Sequence, residues 1–189
     1  MLNIEVRKDT MERTEIRIAG FGGQGVVLAG MLLGRAAVLY DGKHAIQTQS
    51  YGAEARGGAA RSEVILWDQP IVYPKVLQPD IMTAMSQVAL DKYVGDLKPD
   101  GTLILDADLV DRPPQGTDFQ VYEAPFSKIA TEEIGRAIVG NMVMLGFMVG
   151  LTKAVSEDAL RTSVRTGVPK GTEKLNLRAL EIGLNRANS

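Results

Sequence analysis

A cluster of glycines in the motif GFGGQG, residues 20–25, constrains this chain more than any other feature because of what flanks it. The preceding residues 15–19 (EIRIA) alternate and then become apolar, which is typical of an inner β-strand. Residues 26–40 are nearly all apolar and too long for a strand, which predicts a largely buried helix that ends at the Asp41-Gly42 turn. The chain is therefore predicted to begin as strand, glycine turn and helix.

The spacing of these glycines matches that of a phosphate-binding turn. Gly20, Gly22 and Gly25 read as G-x-G-x-x-G, the fingerprint of dinucleotide-binding βαβ units. Glycines permit positive φ and leave main-chain N–H groups uncovered, and the dipole of the following helix favours an anion at its N-terminus. We therefore predict a site for a phosphate or pyrophosphate. The alternative is a tight strand-to-helix turn that binds no ligand.

Two classes of nucleotide site fit the sequence less well. A nicotinamide dinucleotide site requires an acidic residue about 20 residues further on, at the end of the second strand. The sequence has Gln47-Thr48-Gln49 there. A P-loop requires a lysine and a hydroxyl residue after its last glycine, and this chain has Val26 and Val27. The turn is therefore predicted to bind a phosphate group, and the sequence does not identify the ligand as NAD.

A second unusual segment, SYGAEARGGAARSEV, covers residues 50–64. Its glycines and charges predict an exposed loop or a distorted connection over residues 51–61. Arg56 and Arg61 are rigid forks that suit a carboxylate or phosphate partner. The alternative is that they pair internally with Glu54 or Glu63 on a solvated loop.

The remaining pattern predicts one layered α/β domain. The second strand would complete a right-handed βαβ crossover with the first strand and helix. Further elements are strands at 44–48, 62–67, 80–84, 102–106 and 119–123, a helix at 87–97 capped by Ser86, and helices at 127–135, 137–151, 156–165 and 175–186. We predict a single Rossmann-like domain over residues 13–189, with a mostly parallel sheet, flanking helices and a helical C-terminal end. Residues 1–12 are expected to be peripheral and lack the apolar core of a secretory signal.

Composition limits the chemistry. The chain has 21 basic and 23 acidic residues, so no nucleic-acid partner is expected. It has no cysteine, which excludes a disulfide, a thiolate nucleophile and a cysteine-ligated cluster. The single histidine, His44, leaves no multi-histidine metal site and is expected to be structural. The longest charge-free apolar stretch, residues 137–151, is shorter than the ~20 residues of a membrane span, so a cytoplasmic protein is expected.

Four segments in order give a family resemblance over residues 14–186. They are FGGQGVVLAGMLLGRAA, SYGAEARGGAARSEV, NMVMLGFMVGLT and NLRALEIG. Together they resemble the gamma subunit of 2-oxoacid:ferredoxin oxidoreductases, and the 2-oxoglutarate type most closely. Subunits of the pyruvate, branched-chain 2-oxoacid and indolepyruvate enzymes are similar.

The resemblance implies a multisubunit complex that converts a 2-oxoacid, coenzyme A and oxidised ferredoxin into acyl-CoA, carbon dioxide and reduced ferredoxin. It places thiamine diphosphate and magnesium between alpha-type and beta-type partner subunits. Iron–sulfur clusters would lie on cysteine-bearing partners, with a ferredoxin-like delta subunit as a further partner. The gamma-type chain would help to bind coenzyme A and to assemble the complex, and would pair with itself as a homodimer when isolated.

Coenzyme A carries a pyrophosphate and a 3′-phosphate, and these are groups that the glycine turn and the nearby arginines could bind. We assign the pyrophosphate to Gly22, Gly23, Gln24 and Gly25. Arg56 and Arg61 would bind either the ligand or a partner subunit. No residue receives a catalytic or metal-binding role. Two other functions remain open at this point, a free-standing dinucleotide-binding oxidoreductase and a purely structural assembly subunit.

Overall fold

A six-stranded sheet forms the centre of the protein. A computed structural model of the chain describes residues 13–51 and 58–188, and the predicted peripheral segment 1–12 lies outside them. The strands lie in the order β2-β3-β1-β4-β5-β6. Their bounds are β1 Thr14–Phe21, β2 His44–Ser50, β3 Ala59–Trp67, β4 Ile81–Ala84, β5 Thr102–Asp106 and β6 Gln120–Ala124.

The sheet is mostly parallel, as predicted. Strands β1, β4, β5 and β6 are parallel neighbours, and β3 runs antiparallel to both β1 and β2. Strand β2 is parallel to β1, as the predicted βαβ crossover requires, and β3 lies between the two. The sequence did not predict this insertion, because apolar periodicity identifies a strand but not its partner.

Six α-helices flank the sheet in the described residues. They are α1 Val26–Leu39, α2 Gln87–Tyr93, α3 Phe126–Ile129, α4 Gly140–Thr152, α5 Glu157–Gly167 and α6 Glu173–Ala187. Helix α3 continues as a π-helix over Ala130–Ile134, and a 3-10 turn over Ala137–Val139 leads into α4. Ser86 caps α2 as predicted, since its hydroxyl accepts a hydrogen bond from the Ala89 amide at 3.3 Å.

The helices cover the two faces of the sheet unequally. On one face α1, α4, α5 and α6 bury a large core that includes Ile16 and Ile18 of β1. On the other face only α2 and the 3-10 turn after it pack on a smaller core around Ala19 and Met82. Because neighbouring residues of β1 point to opposite faces, α1 and α2 lie on opposite sides of the sheet.

Helices α4 and α6 pack with almost no space between their backbones. A Cβ on Gly146 of α4 would lie 2.2 Å from the Leu180 carbonyl oxygen, and a Cβ on Gly183 of α6 would lie 2.0 Å from that of Val143. Glycine at these two positions therefore allows the two helix backbones to pack closely.

The predicted loop at 51–61 is wrong at its end. Strand β3 already begins at Ala59, and both Ala59 and Ala60 are buried. Their partners in the sheet are Phe21 and Gly20, at the end of β1. Pairing with β1 extends the strand over residues whose small side chains carry no strand signal of their own.

Candidate functional site

The glycine motif lies where the sheet changes its direction of winding. Helix α1 takes the chain from β1 towards one edge of the sheet, whereas α2 takes it from β4 towards the other edge. In open α/β sheets, ligands bind in the crevice that forms at such a point, outside the carboxyl ends of the strands. The ends of β1, β4 and β5 meet at this edge of the sheet.

The bend over residues 22–25 is held open by glycine geometry. Gly23 has φ of +100° and Gly25 has φ of +74°, values that side-chain-bearing residues rarely adopt. A Cβ built on Gly22 or Gly23 would meet nothing within 4 Å. The outer side of the bend is therefore free of covering atoms from the described residues.

Two of the four amides of the bend are already used. The Gly22 amide donates to the Gly58 carbonyl oxygen at 3.4 Å, and the Gln24 amide donates to that of Phe21 at 3.2 Å. The amides of Gly23 and Gly25 have no acceptor among the described residues. These two N–H groups, at the N-terminus of α1, are the donors that an anion would find.

The side chain of Gln24 holds the bend in place. Its Oε1 accepts a hydrogen bond from the Phe21 amide at 2.6 Å, and its Nε2 donates to the Met85 carbonyl oxygen at 2.8 Å. The second bond ties the bend to the loop that follows β4. The side chain of Gln24, which the sequence predicted as a ligand contact, thus bonds to main-chain groups of Phe21 and Met85.

Asn141, in the first turn of α4, also contacts the bend. Its Nδ2 donates to the Gly25 carbonyl oxygen at 3.1 Å, and a Cβ on Gly25 would lie only 2.2 Å from this nitrogen. The residue is 3% exposed, and its Oδ1 has no hydrogen-bond partner within residues 13–51 and 58–188. The need for a polar partner could be read from an asparagine in an apolar helix, but not that the partner is the glycine bend.

Two clefts open on either side of the bend. The larger, which we call the carboxyl-end cleft, has a volume of about 420 Å³. It is lined by Gly23, Gln24, Met85, Asp108, Leu109, Ser127, Thr131, Ala137, Ile138 and Asn141. The smaller, which we call the side cleft, has a volume of about 200 Å³ and is lined by Phe21, Gly22, Gly23, Gly25, Val26, Val27, Tyr51 and Ala60. Gly23 borders both clefts.

A buried carboxyl group fixes one wall of the carboxyl-end cleft. Asp106, at the end of β5, accepts hydrogen bonds from the Ser127 hydroxyl at 2.6 Å, from the Ser127 amide at 3.1 Å and from the Asp108 amide at 3.2 Å. Burial raises the pKa of Asp106, and these hydrogen bonds lower it by a smaller amount. The group positions the start of α3 beside the cleft.

Arg61 lies on β3 and lines neither cleft. Its guanidinium stacks over the Tyr93 ring at 5.1 Å, and its Nε lies 3.6 Å from Oε1 of Glu63. Glu63 has a closer partner in the buried Arg17, at 2.8 Å. The internal contact with Glu63 that the sequence offered as an alternative is therefore present. Arg56 lies outside the described residues.

The second strand does not supply the ribose-binding position of a nicotinamide dinucleotide site. Gln47 donates from Nε2 to the Ser62 hydroxyl at 2.8 Å, and its strand is not the neighbour of β1, so the usual ribose-binding position beside β1 is absent.

Within residues 13–51 and 58–188, no three His, Asp or Glu side chains are grouped so that they could hold a metal ion. No helix in the same residues is long and apolar enough to cross a membrane.

Comparisons with known proteins bear on the family and the fold of the chain. The chain is 53% identical over 173 residues to 2-oxoglutarate synthase subunit KorC of Methanocaldococcus jannaschii, covering 90% of this chain and 92% of that protein. The keto/oxoacid ferredoxin oxidoreductase gamma subunit of Geobacter sulfurreducens superposes with a TM-score of 0.83 at 43% identity, covering 93% and 98% of the two chains.

A third comparison supports the fold alone. The 2-oxoglutarate:ferredoxin oxidoreductase of Magnetococcus marinus, solved with 2-oxoglutarate, coenzyme A and succinyl-CoA bound, matches with a TM-score of 0.82 at 23% identity. The match covers 93% of this chain and 31% of that one. The sequence model of the pyruvate ferredoxin/flavodoxin oxidoreductase family matches residues 15–186. This chain therefore belongs to the pyruvate ferredoxin/flavodoxin oxidoreductase family, whose members include subunits of 2-oxoacid:ferredoxin oxidoreductase complexes.

Proposed function

We propose that this chain is the gamma subunit of a 2-oxoglutarate:ferredoxin oxidoreductase and that its glycine bend binds the pyrophosphate of coenzyme A. The identity of 53% to a 2-oxoglutarate synthase subunit supports the substrate. The single observation that carries the ligand assignment is a pair of amides, those of Gly23 and Gly25, that have no acceptor among the described residues and lie at the N-terminus of α1 and at the switch point of the sheet.

The residues of the bend fit a pyrophosphate in three respects. The main chain is uncovered at Gly22 and Gly23, so phosphate oxygens can approach within hydrogen-bond distance. The two free N–H groups and the helix dipole supply positive potential without a lysine. The bonds of Gln24 and Asn141 hold these donors in position before the ligand arrives, which reduces the ordering that binding requires.

The chemistry of decarboxylation and electron transfer belongs to partner subunits in this proposal. Alpha-type and beta-type subunits would hold thiamine diphosphate and magnesium, iron–sulfur clusters would lie on further partners such as a delta subunit, and ferredoxin would accept the electrons. The present chain contains no cysteine to ligate a cluster. Its own contribution is to bind and orient coenzyme A towards the partner-held centre, in the cytoplasm.

Arg56 and Arg61 are proposed to act near this site through their charge. The guanidinium of Arg61 keeps a side-chain exposure of 31%, and a rigid fork of this kind binds either a phosphate or a carboxylate. The candidates are the 3′-phosphate of coenzyme A and an acidic residue of a partner subunit. Binding of coenzyme A and of 3′-dephospho-coenzyme A to Arg56→Gln and Arg61→Gln separates the two.

A purely structural role is the competing function, because Gln24 and Asn141 bond the bend internally as a plain structural turn would.

The test uses the assembled complex, with Gly23→Val as the variant and Gly95→Ala as a control at an open position outside the bend. We expect Gly23→Val to raise the KM for coenzyme A roughly tenfold or more, since bonds to a charged phosphate are lost. The KM for 2-oxoglutarate and the subunit composition should not change.

Two outcomes would contradict the proposal. If Gly23→Val abolishes assembly and the surviving complex keeps its KM for coenzyme A, the bend is structural. If the chain binds NADH at micromolar concentration and does not respond to coenzyme A in calorimetry, it is a dinucleotide-binding protein of another kind.

A further inference from the structure

We propose that the outer edge of strand β2 pairs with the β2 edge of a second copy of this chain, so that two six-stranded sheets join into one across a two-fold axis. The surface involved contains no residue of the glycine bend. The proposal therefore does not depend on which ligand the bend binds.

The backbone of β2 is open on one side. The strand covers His44–Ser50 and pairs only with β3. Because alternate residues of an edge strand direct their N–H and C=O groups outward, β2 presents a row of backbone donors and acceptors. Within residues 13–51 and 58–188, no backbone hydrogen bond other than those of its ladder with β3 involves this strand. Another strand can therefore add to this edge.

The sequence of β2 lacks the features that usually keep an edge strand from pairing. Native proteins protect such edges with lysine, proline, charged side chains, bulges or very short strands. Strand β2, HAIQTQS, has no lysine, proline or carboxylate, and its ladder with β3 runs without a bulge over seven residues. At the opposite edge, β6 has five residues, carries the exposed Glu123 and is followed by Pro125. The two edges of the sheet are therefore unlike, and β2 is the one suited to pairing.

An apolar groove, which we call the edge groove, follows the same strand. It consists of two adjoining clefts of about 350 and 280 Å³ that share Val38 and Ala45. Helix α1 contributes Met31, Arg35, Val38 and Leu39 to the groove. Val38 and Leu39 are 45% and 56% exposed, although most of this helix is buried. A partner at the β2 edge would cover these side chains as well as the backbone.

A second copy fits this edge because the edge is complementary to itself. An antiparallel pair centred on Gln47 matches seven residues with seven, and a two-fold axis normal to the sheet leaves both α1 helices on the same face. The two edge grooves then face each other. Ala45 lies opposite the partner's Gln49, so Arg35, which lines the groove beside Ala45, meets a neutral amide that can accept a hydrogen bond. The two Arg35 side chains stay roughly 13 Å apart along the strands, so they do not oppose pairing.

The area available is enough for a weak but specific dimer. We estimate that the paired edges and facing grooves bury about 1,100 Å² in total, just above the roughly 1,000 Å² that a biological interface needs. Interfaces of this size are commonly weak, so we expect dissociation at micromolar concentration. The two glycine bends lie at opposite ends of the joined sheet, because the two-fold axis reverses the strand direction. Both bends stay accessible to ligand.

The first test is the oligomeric state of the full chain, measured by sedimentation velocity over a range of micromolar concentrations. We expect a dimer that dissociates on dilution. Gln49→Lys places an ammonium group beside the partner's Arg35 twice in each dimer, so the dissociation constant should rise roughly tenfold or more. Gln120→Lys, at an exposed glutamine of the β6 edge, is the matched control and should leave it unchanged. Adding Arg35→Glu to Gln49→Lys should restore the dimer, because opposite charges then face each other.

A disulfide cross-link tests the register. The chain has no cysteine, so each variant carries a single thiol. Gln47→Cys places two thiols opposite each other across the axis, at a Cα separation of about 4.5–5.5 Å that suits a disulfide. Gln49→Cys, on the same strand, places them roughly 13 Å apart. We expect Gln47→Cys to oxidise to a covalent dimer at least tenfold faster than Gln49→Cys.

Three outcomes would overturn the proposal. The first is a full chain that stays monomeric at every concentration. The second is a dimer that Gln49→Lys does not weaken, or that cross-links no faster at Gln47→Cys than at Gln49→Cys, because such a dimer uses another surface or register. The third is a dimer that forms only after residues 1–10 are removed, which would show that the chain's own N-terminal segment covers the edge. Should the variants fail to fold, hydrogen exchange of the wild type decides. Protection of the β2 amides that increases with protein concentration supports the proposal, and protection independent of concentration contradicts it.

Discussion

Two regions of this protein are built on glycine for opposite reasons. Between α4 and α6, Gly146 and Gly183 are needed because a neighbouring backbone occupies the place of a Cβ, at 2.2 and 2.0 Å. At the bend, Gly23 is needed for its φ of +100°, and a Cβ there would meet nothing within 4 Å. Between the helices, the absence of a side chain lets two backbones come close together. At the bend, glycine allows a positive φ that exposes main-chain N–H groups.

The two regions also differ in how well their polar groups are satisfied. The α4–α6 contact consists of buried apolar side chains and helical backbone. Around the bend and the carboxyl-end cleft there are positive φ angles, an Asn141 Oδ1 with no partner among the described residues, and a buried Asp106 whose pKa is raised by burial. Such local costs persist where the surrounding structure holds them in place, and they concentrate at functional sites. Glycine content alone therefore does not distinguish a close helix contact from a binding site.

The largest effect is expected from Gly183→Ala. The new Cβ would lie 2.0 Å from the Val143 carbonyl oxygen and 2.8 Å from the Phe147 amide nitrogen, so two helix backbones must move apart. We expect the free energy of unfolding to fall by about 4 kcal/mol, at the upper end of overpacking effects. Chemical denaturation measures it. Gly95→Ala, where no atom lies within 4 Å, serves as the control and should change stability by less than about 0.5 kcal/mol. Equal effects of the two would refute the close-packing account.

Gly25→Ala should have the next largest effect, because it combines both reasons for glycine. A residue with a Cβ is strained at φ of +74°, and that Cβ would lie 2.2 Å from Asn141 Nδ2. We expect a loss of about 3 kcal/mol, of which about 1–2 kcal/mol is backbone strain.

A double-mutant cycle with Asn141→Ala separates the two parts of that loss. Removing the asparagine relieves the clash but not the strain, so Gly25→Ala should be less destabilising in this background by about 1 kcal/mol. Additive effects of the two substitutions would show that the contact between Asn141 and the bend has no energetic weight.

Gly23→Ala should affect stability less and ligand binding more. No atom of the described residues opposes the new methyl group, so the expected cost is that of the positive φ, about 1 kcal/mol. Thermal unfolding in the absence and presence of coenzyme A measures both quantities. We expect a small decrease in Tm without ligand and a clear reduction of the stabilisation that coenzyme A gives. An unchanged ligand-induced shift would place the binding site elsewhere.

The smallest effect is expected from Asp106→Asn, and it depends on pH. The pKa of this carboxyl group is raised in the folded state by burial, so the folded protein holds the proton more tightly than the unfolded chain does. The stability that follows is fully present below the ordinary pKa of about 3.9 and is lost as pH rises through the raised value. Across that window the stability of Asp106→Asn relative to wild type should therefore increase with pH. A difference between the two proteins that does not vary with pH would contradict a raised pKa.

Much of the site's location could be predicted from the sequence, and its contacts could not. The order strand, glycines and apolar helix predicted an anion site at residues 22–25, and among the described residues the amides of Gly23 and Gly25 have no acceptor. The internal role of Gln24 was not visible, because it depends on Met85, 61 positions away along the chain. The packing of Arg61 on Tyr93 depends in the same way on where α2 crosses the sheet. Arg56 as a ligand or partner contact stays a prediction.

By itself the sequence determined which segments are strands and helices, that glycine was required at the first turn, and that no cysteine chemistry was available. These properties follow from local periodicity, backbone freedom and side-chain inventory, which need no knowledge of distant neighbours. The tertiary structure alone decided that β3 lies between β1 and β2, that Asn141 supports the bend, and that its Oδ1 is left unpaired beside a cleft. These are contacts between segments far apart in the chain, and only packing of the whole sheet with its helices fixes them.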